Sequence, residues 1–417
     1  MKKPLGLLLS TLLMYPTLIP AQTQPPARDS MYTFTDSTLA FRVMVPVKDV
    51  FKSPLKNTPG GQAISQLYFC TDNKENVNYT FGVNRIPSNR VMENDIVFYA
   101  DLRNALKYNF SQLSVDTSFR LGEYIVIELS GFLKPAGKPF YYRILARGNR
   151  WYILLASYPT VAGTGKVKEF FNTFTPLDLP ASPWKKRMAP DLSMSTWTPN
   201  PLISSPFDTA VSKIVDLHFT SYDSIRSNTY TIIRSGFNPY YWSPSDSAFL
   251  QERINVSLNE NDSLIYYKAV SNGNARGWEW MKHPRNSDMY QRIRVLLNGD
   301  QQYILYTTAL KDEILSPDAN RYFDDFRFTQ PVAHTRLFNP KETVLLASLF
   351  GADPKAAATA LAYVGKAPFR KKDLPLLQEY MQKTPAPQGG LDPVRVKIAL
   401  SNCIKAVYSR LNTVAGL

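Results

Sequence analysis

Two pairs of oppositely charged residues recur in this sequence at the same spacing. Glu128 lies 15 positions before Arg143, and Glu279 lies 15 positions before Arg294. Each pair falls on two neighbouring segments with the composition of β-strands. A carboxylate held beside a guanidinium could bind a polar ligand or take part in acid–base chemistry. The spacing also suits an ion pair across two strands on the solvent face of a sheet, and the residues alone favour this second interpretation.

Two further motifs could bind ligands. Trp278 and Trp280, in the segment GWEW, would stack on sugar rings if exposed, although such residues more often pack in a core or at its rim. The basic run Arg370, Lys371 and Lys372 would form an anion-binding patch, although such a run is more often an exposed loop. In each case both alternatives stay open.

The sequence contains none of the short motifs that mark common catalytic sites. GxSxG, GxGxxG, HExxH, CxxC and the P-loop pattern are all missing. The chain has 3 His and 2 Cys, and none of them pair at the spacing of zinc ligands. Cys70 and Cys403 are predicted to be buried free thiols, with one disulfide between them as the alternative. Acidic residues are common, but nothing places two of them together. We therefore predict no metal and no cofactor.

The charged pairs belong to a longer repeat with a constant shift of 151 positions. RGNRWYILLASY (147–158) aligns with NGDQQYILYTTA (298–309), and with one inserted residue FFNTF (170–174) aligns with YFDDF (322–326). Other matched residues in this register are Tyr79 with Tyr230, Gly122 with Gly273, and Tyr152 with Tyr303. The repeat predicts two copies of one domain.

Each copy is predicted to contain strands, a helix, a hairpin and a short closing helix. Turns that contain Asn and Gly suit tight hairpins. Apolar residues at helical spacing predict one helix over residues 93–110 and another after the capping sequence Ser243-Pro244-Ser245-Asp246. The predicted fold class is α+β: two copies of an antiparallel sheet packed with helices, and a C-terminal all-α block.

The order of segments in the first copy resembles the PsbP-like α/β sandwich family. The resemblance rests on FRVMVP (41–46), GEYIVIEL (122–129), the hairpin RILARGNRWYILLAS and the closing FFNTF, and it covers residues 31–178. The second copy, at 207–330, resembles a degenerate member because it has no clear counterpart of FRVMVP. Members of that fold are mostly non-enzymatic assembly or accessory proteins, so the resemblance implies such a role.

The remaining segments have a different composition. Residues 179–206 are rich in proline and predict a semi-extended linker between the copies. Farther on, Asp353-Pro354 and Asp392-Pro393 each place a capping residue before a first-turn proline, 39 positions apart. This period resembles HEAT-type helical repeats and predicts a helical block over 338–417, which packs on the second copy or forms a small cap.

The N-terminus predicts export. Residues 1–21 combine Lys2 and Lys3 with a short apolar run and end on Ala21, as a secretory signal peptide does. No later stretch is apolar enough to cross a bilayer, so we expect no integral membrane protein. The formal net charge is +14, and the excess of basic residues after His334 predicts either an anionic partner or a solvated helix face.

Several triplets of Asp, then Ser or Thr, then a third residue such as Ala, Ile or Leu resemble the O-glycosylation acceptor sequence of the Bacteroidetes. The candidate acceptor hydroxyls are those of Ser37, Thr209, Ser224 and Ser263. The resemblance implies an exported protein from that phylum, and ordinary turn chemistry is the alternative.

These features together predict an exported, non-catalytic binding or accessory protein of the bacterial cell envelope. Its partner would be an envelope protein or an anionic envelope polymer, in the periplasm or at the cell exterior, and not a nucleic acid. The alternative is a carbohydrate-active or other hydrolytic enzyme that uses acidic residues of one copy. Two carboxylates converging in a cleft would favour the enzyme, and an exposed apolar or basic patch would favour the binding protein.

Overall fold

The computed structural model is dominated by antiparallel strands, with 8 α-helices in the part of the chain that it describes. The described residues are 31–53, 56–57, 63–85, 106, 110–135, 137–159, 165–206, 217–285, 287–367, 369–382 and 390–415. The predicted signal peptide, most of the helix predicted over 93–110 and the candidate acceptor Thr209 lie outside these residues. The α+β class is as predicted.

The first half of the chain forms a large sheet and a small one. Its strands are β1 Tyr32–Asp36, β2 Phe41–Val45, β3 Phe51–Lys52, β4 Lys56–Asn57, β5 Ala63–Asp72, β6 Val77–Arg85, β7 Phe110–Leu121, β8 Tyr124–Leu133, β9 Lys138–Arg147, β10 Arg150–Ser157 and β11 Thr175–Pro176. The large sheet, here called the first sheet, has the order β3-β5-β6-β10-β9-β8-β7, with β4 beside β5, and the small sheet has the order β1-β2-β11.

The second half repeats this arrangement. Its strands are β12 Lys185–Met188, β13 Met194–Thr198, β14 Ile203–Pro206, β15 Leu217–Asp223, β16 Asn228–Gly236, β17 Asp262–Asn272, β18 Ala275–Pro284, β19 Met289–Asn298, β20 Gln301–Leu310 and β21 Arg327–Phe328. The large sheet, called the second sheet, has the order β14-β15-β16-β20-β19-β18-β17, and the small one has the order β12-β13-β21. Corresponding strands therefore occupy corresponding places in the two large sheets.

The repeated hairpins are β9–β10 and β19–β20. Gly148 has a φ of 55° and Gly299 a φ of 61°, in the left-handed region that glycine enters without steric cost. The tight turns predicted at these positions are confirmed.

The prediction of an extended linker at 179–206 is wrong. β12, β13 and β14 lie within it, and Met194 and Leu202 are buried in the core of the second sheet. β12 and β13 contain none of its prolines, so both strands can form. β13 also takes the place that β2 takes in the first half, so the second half does have a counterpart of the opening strand FRVMVP.

Helices cover both large sheets and form the C-terminal region. They are α1 Gly165–Thr173, α2 Asp246–Ser257, α3 Lys311–Ile314, α4 Pro317–Asp324, α5 Glu342–Leu349, α6 Pro354–Val364, α7 Leu374–Gln382 and α8 Pro393–Ala415. Ser245, rather than Ser243, caps α2 by accepting from the Ala248 N–H at 3.2 Å. Asp353 caps α6, as its sequence predicts. None of the helices in the described segments has the length and hydropathy needed to span a membrane.

Each large sheet has two apolar faces. In the first sheet, Phe170 and Phe171 of α1 pack on the face that contains Tyr79 and Phe81, while Trp151 lies in a separate cluster on the other face. In the second sheet, α4 covers one face and α2 the other. Helices α5 to α8 share one apolar cluster, and Tyr240 from the loop after β16 belongs to it. The C-terminal helices are thus in contact with the part of the chain that contains the second sheet.

The turn of β9–β10 contacts the second sheet through polar groups. Arg147 lies 3.1 Å from Glu313 and 3.0 Å from Asp312, both on α3. Arg150 Nη1 donates to the Ile225 carbonyl at 2.8 Å. The first repeated turn is therefore one joint between the two halves of the chain.

The corresponding turn of β19–β20 contacts the segment that leads to the C-terminal helices. The Gly299 N–H donates to the Ala333 carbonyl at 3.0 Å, and the Ala333 N–H donates to Asn298 Oδ1 at 2.8 Å. Arg336 pairs with Asp300 in the same turn. Both repeated turns thus contact the part of the chain that follows them.

Candidate functional site

Strands β8 and β9 place Glu128 directly opposite Arg143. Arg143 Nε donates to Glu128 Oε1 at 2.7 Å. Its Nη1 donates to the carbonyl of Phe171 near the C-terminal end of α1, and the guanidinium carbon lies 5.4 Å from the centre of the Phe171 ring. A cation at the carbonyl end of a helix is favourable, so this pair joins the sheet to the helix that covers it.

Strands β18 and β19 place Glu279 opposite Arg294 in the same manner. Arg294 Nε donates to Glu279 Oε2 at 2.7 Å, and Nη1 donates to the Phe323 carbonyl of α4 at 2.6 Å. The guanidinium carbon lies 5.5 Å from the centre of the Phe323 ring. The two repeated pairs therefore make the same set of contacts with a strand, a helix end and an aromatic ring.

Glu279 is surrounded by more donors than Glu128. Arg292 Nη2 lies 3.0 Å from Glu279 Oε1, the Tyr266 hydroxyl donates to this oxygen at 2.8 Å, and Lys268 Nζ lies 3.3 Å from it. The Glu279 side chain is 0% exposed. We call Glu279 and its three basic partners the Glu279 network; the partners are Arg292, Arg294 and Lys268.

The electrostatics of this network favour an ionised carboxylate. Burial acts to raise the pKa of Glu279, but the charges of Arg292 and Arg294 and the Tyr266 hydrogen bond outweigh it and hold the pKa below its ordinary value. A catalytic general acid needs a raised pKa and access to substrate. The geometry therefore suits a buried ion pair that fixes α4 on the sheet.

The cross-strand ion pairs are confirmed, but the expectation that they lie on a solvent face is wrong. Glu128 and Glu279 are both buried. The covering helices α1 and α4 come from segments that follow the strands, and the strand sequences alone do not show which face those helices cover. Among the described residues, no group of three or more His, Cys, Asp or Glu side chains is arranged to hold a metal ion.

Trp278 and Trp280 belong to the core, so the alternative in which they stack on sugar rings is wrong and the more common alternative holds. Both side chains are buried on the face opposite Glu279, in the cluster that contains Phe249 of α2. Trp280 Nε1 donates to Ser257 Oγ at 3.0 Å. Neither ring is available to a sugar.

The basic run and the cysteines lie in different environments. Arg370, Lys371 and Lys372 are exposed at a short 3₁₀ turn before α7, so the anion patch stays a prediction. Cys70 and Cys403 are free and buried. Burial, followed by the charge of Asp72, raises the pKa of the Cys70 thiol to about 12. A thiol of this kind is a poor nucleophile.

Sequence reasoning missed β17 as a surface. It is the terminal strand of the second sheet, and among the described strands only β18 pairs with it. Tyr267 is 62% exposed, Ile265 is 47% exposed, and Leu264 is also exposed. A strand with one buried face alternates apolar and polar residues. The unbroken run LIYY breaks this alternation, but such a run is also typical of a strand buried on both faces. The sequence therefore marks β17 as unusual without showing that it is exposed.

The comparisons with known proteins identify no family. No family model matches the chain, and no curated protein matches it. Among solved structures, the solution structure of PsbP from the cyanobacterium Synechocystis is similar at 11% identity with a TM-score of 0.27, over 37% of this chain and 97% of that one.

Two other solved structures cover more of the chain. The T6SS immunity protein TplEi of Pseudomonas aeruginosa, complexed with an "L" peptide, is 9% identical with a TM-score of 0.19, over 71% of this chain and 97% of that one. The MucA/MucB complex of Pseudomonas aeruginosa is matched at 8% identity with a TM-score of 0.18, over 64% of this chain and 88% of that one. TM-scores this low assign neither a fold family nor a function.

Proposed function

We propose that this chain is an exported, non-catalytic protein of the bacterial cell envelope that binds an extended segment of a partner protein along β17. The observation that carries the proposal is the exposure of apolar side chains on a terminal strand. The proposal places the function on a surface and leaves the buried Glu–Arg pairs with a structural role.

A terminal strand has backbone N–H and C=O groups on its outer side that can pair with another strand. Partner peptides use such edges by adding one strand to the sheet, and side chains beside the new strand then supply specificity. β17 runs over Asp262–Asn272, which is long enough for this mode. Leu264, Ile265 and Tyr267 would lose their exposed apolar surface on pairing, which favours association.

Charge indicates the chemistry of the partner. The chain has a formal net charge of +14, and Lys268 on β17 has a side chain that is 54% exposed. A partner segment with net negative charge would be attracted to this edge and would associate faster.

The architecture supports the finer parts of the proposal. The shared strand order and the shared Glu–Arg contacts support two copies of one PsbP-like domain that arose by duplication. Packed helices α5 to α8 support a short HEAT-like block that caps the second copy. Export rests on the signal-peptide pattern of residues 1–21.

The substitution Tyr267→Glu is expected to reduce partner recovery about tenfold, because it removes exposed apolar surface and adds a charge that repels an acidic segment. The measurement is recovery of cross-linked partners by the tagged full chain from the native cell envelope, after low-salt and high-salt washes. Val256→Glu, at an exposed position of α2, is the matched control and should retain the partner.

Equal recovery by the wild type and Tyr267→Glu would contradict binding along β17. Recovery of only a second copy of this chain would show self-pairing instead. Recovery of only glycan or lipid, lost at high salt, would transfer the function to the basic C-terminal helices.

We also propose O-glycosylation after export. Ser37, in the β1–β2 turn, and Ser263, on β17, are exposed, and Ser224, in the β15–β16 turn, is partly exposed. The intact mass of protein purified from its native host should exceed that of the bare mature chain. A mass equal to the bare chain would contradict modification at all three positions.

A further inference from the structure

Two buried arginines face each other at the end of the first sheet. Arg85 ends β6 and Arg150 begins β10, and the two are direct partners in the ladder. Their exposed fractions are 6% and 3%. Like charges in opposed positions destabilise a sheet, and a buried cation without a counter-charge is costly. The pair therefore needs negative charge nearby.

Among the described residues, Arg150 donates hydrogen bonds only to uncharged groups. Its Nη1 donates to the Ile225 carbonyl at 2.8 Å, its Nε donates to the Tyr152 hydroxyl at 3.3 Å, and its Nη2 donates to the Leu39 carbonyl. These acceptors fix the position of the guanidinium, but they supply no formal negative charge.

Arg85 is less well satisfied. Within the described part of the chain, its buried Nε–H has no acceptor, and neither arginine forms an ion pair with a carboxylate. The charge of Asp36 reaches Arg85, but the Asp36 oxygens already accept from the Leu39 N–H at 2.8 Å and from the Tyr68 hydroxyl. Burial, followed by the charge of Arg150, lowers the pKa of Arg85.

The second sheet contributes two hydroxyl groups to this junction. Tyr222 lies near the end of β15 and interacts electrostatically with Arg85. Ser227 lies in the following turn, two positions after Ile225, whose carbonyl accepts from Arg150. Both hydroxyls are buried. Apart from an interaction with each other, neither has a hydrogen-bond partner of normal geometry among the described residues. Burial raises the pKa of Tyr222 to about 12, so its hydroxyl stays protonated and can donate.

The fold itself does not require arginines here. At the corresponding rungs of the second sheet, Gly236 faces Gln301. The corresponding strands β16 and β20 thus pair at this position without a charged residue. A buried polar cluster that is only half satisfied is expected to hold water or an ion.

We propose that Arg85 and Arg150, with the hydroxyls of Tyr222 and Ser227, bind a phosphate dianion at the junction of the two sheets. Two guanidinium groups carry two positive charges, which one phosphate dianion neutralises. Arginine and hydroxyl donors match phosphate oxygens in geometry. The site lies apart from β17 and does not depend on the proposed partner binding.

The test is thermal unfolding of the full-length mature protein in inorganic phosphate and in chloride at equal ionic strength. Phosphate should raise the Tm of the wild type by about 3 °C or more over chloride. Arg85→Gln should raise the Tm in chloride, because it removes an uncompensated buried charge, and should abolish the phosphate increment. Arg276→Gln, which changes an exposed arginine, is the control and should keep the increment.

The protonation of phosphate gives a second readout. Phosphate loses its second proton near neutral pH. The increase in Tm that it causes over chloride should therefore become smaller as the pH is lowered from about 8 to about 5.5. Sulfate stays a dianion across this range, so the increase in Tm that sulfate causes over chloride should persist. No increment over chloride in the wild type, or equal increments in the wild type and Arg85→Gln, would overturn the proposal. Tyr222→Phe, which keeps both arginines, should reduce the increment without abolishing it.

Discussion

The substitution Glu279→Gln is expected to lower the free energy of unfolding by about 3–5 kcal/mol, the cost of breaking a buried ion pair by removing one partner. Glutamine keeps the shape of the side chain but leaves Arg292 and Arg294 buried without their shared negative charge. Asp324 is exposed, and among the described residues its ion pair is with Arg294 alone, so it cannot replace Glu279. The fixation of α4 on the second sheet would weaken as a result.

Urea unfolding followed by circular dichroism measures this loss. The matched variant is Glu128→Gln, which removes the corresponding carboxylate from the first sheet. Glu128→Gln should lower the free energy of unfolding by less than Glu279→Gln does. Glu128 neutralises one arginine whose side chain is 17% exposed, whereas Glu279 neutralises two arginines that are nearly inaccessible. Equal losses in the two variants, or a loss below about 1 kcal/mol for Glu279→Gln, would contradict the importance of the network.

The lowered pKa of Glu279 also predicts a dependence on pH. Because its pKa is lower in the folded chain than in the unfolded chain, the folded chain gains stability when this carboxylate is ionised. This contribution is complete above the unfolded pKa of about 4.3 and is lost as the pH falls toward the folded value. The stability difference between the wild type and Glu279→Gln should therefore narrow in acid.

The second large effect is expected for Arg147→Met, which should lower the free energy of unfolding by about 2–4 kcal/mol. Methionine keeps most of the apolar volume but removes the cation that pairs with Glu313 of α3. The Glu313 side chain is only 5% exposed. Burial, its main influence, already raises the pKa of Glu313, and Arg147 is among the groups that oppose this rise. Without Arg147 the charged form would be still less favourable.

A double-mutant cycle separates this interaction from general damage. Adding Glu313→Gln to Arg147→Met should restore part of the lost stability, because the buried charge is then gone. Arg120→Met is the control, since Arg120 and Asp288 form an exposed pair across the same two halves of the chain. It should change stability by less than about 1 kcal/mol. Additive effects of Arg147→Met and Glu313→Gln would contradict the coupling.

Features set by nearby residues were predictable from the sequence. The repeated hairpins follow from turn residues and from the strand composition on both sides of them. The Glu–Arg pairs follow from a constant spacing across such a hairpin ladder. The start of α2 and the cap of α6 depend on residues within one helical turn. In each case the interacting groups lie within about twenty residues, so a short sequence window contains the information.

Features set by distant partners were not predictable. β13 pairs with β21, and Met194 lies opposite Phe328, so a proline-rich segment becomes a strand through a partner far along the chain. Burial of Glu128 and Glu279 depends on which face a later helix covers. The exposure of β17 depends on the order of seven strands in the sheet. The buried pair Arg85 and Arg150 likewise appears only once the ladder register is known.

The two docked turns give the molecule a mechanical character. Each repeated turn contacts a later part of the chain through ion pairs and hydrogen bonds, so the modules form a series with a direction. At the second joint, Tyr240 and Leu337 add apolar contacts. Joints of this kind resist bending in dilute buffer but soften when salt screens their charges or acid neutralises their carboxylates. Because Tyr240 and Leu337 also hold the second joint through apolar contacts, these conditions should loosen the first joint before the second.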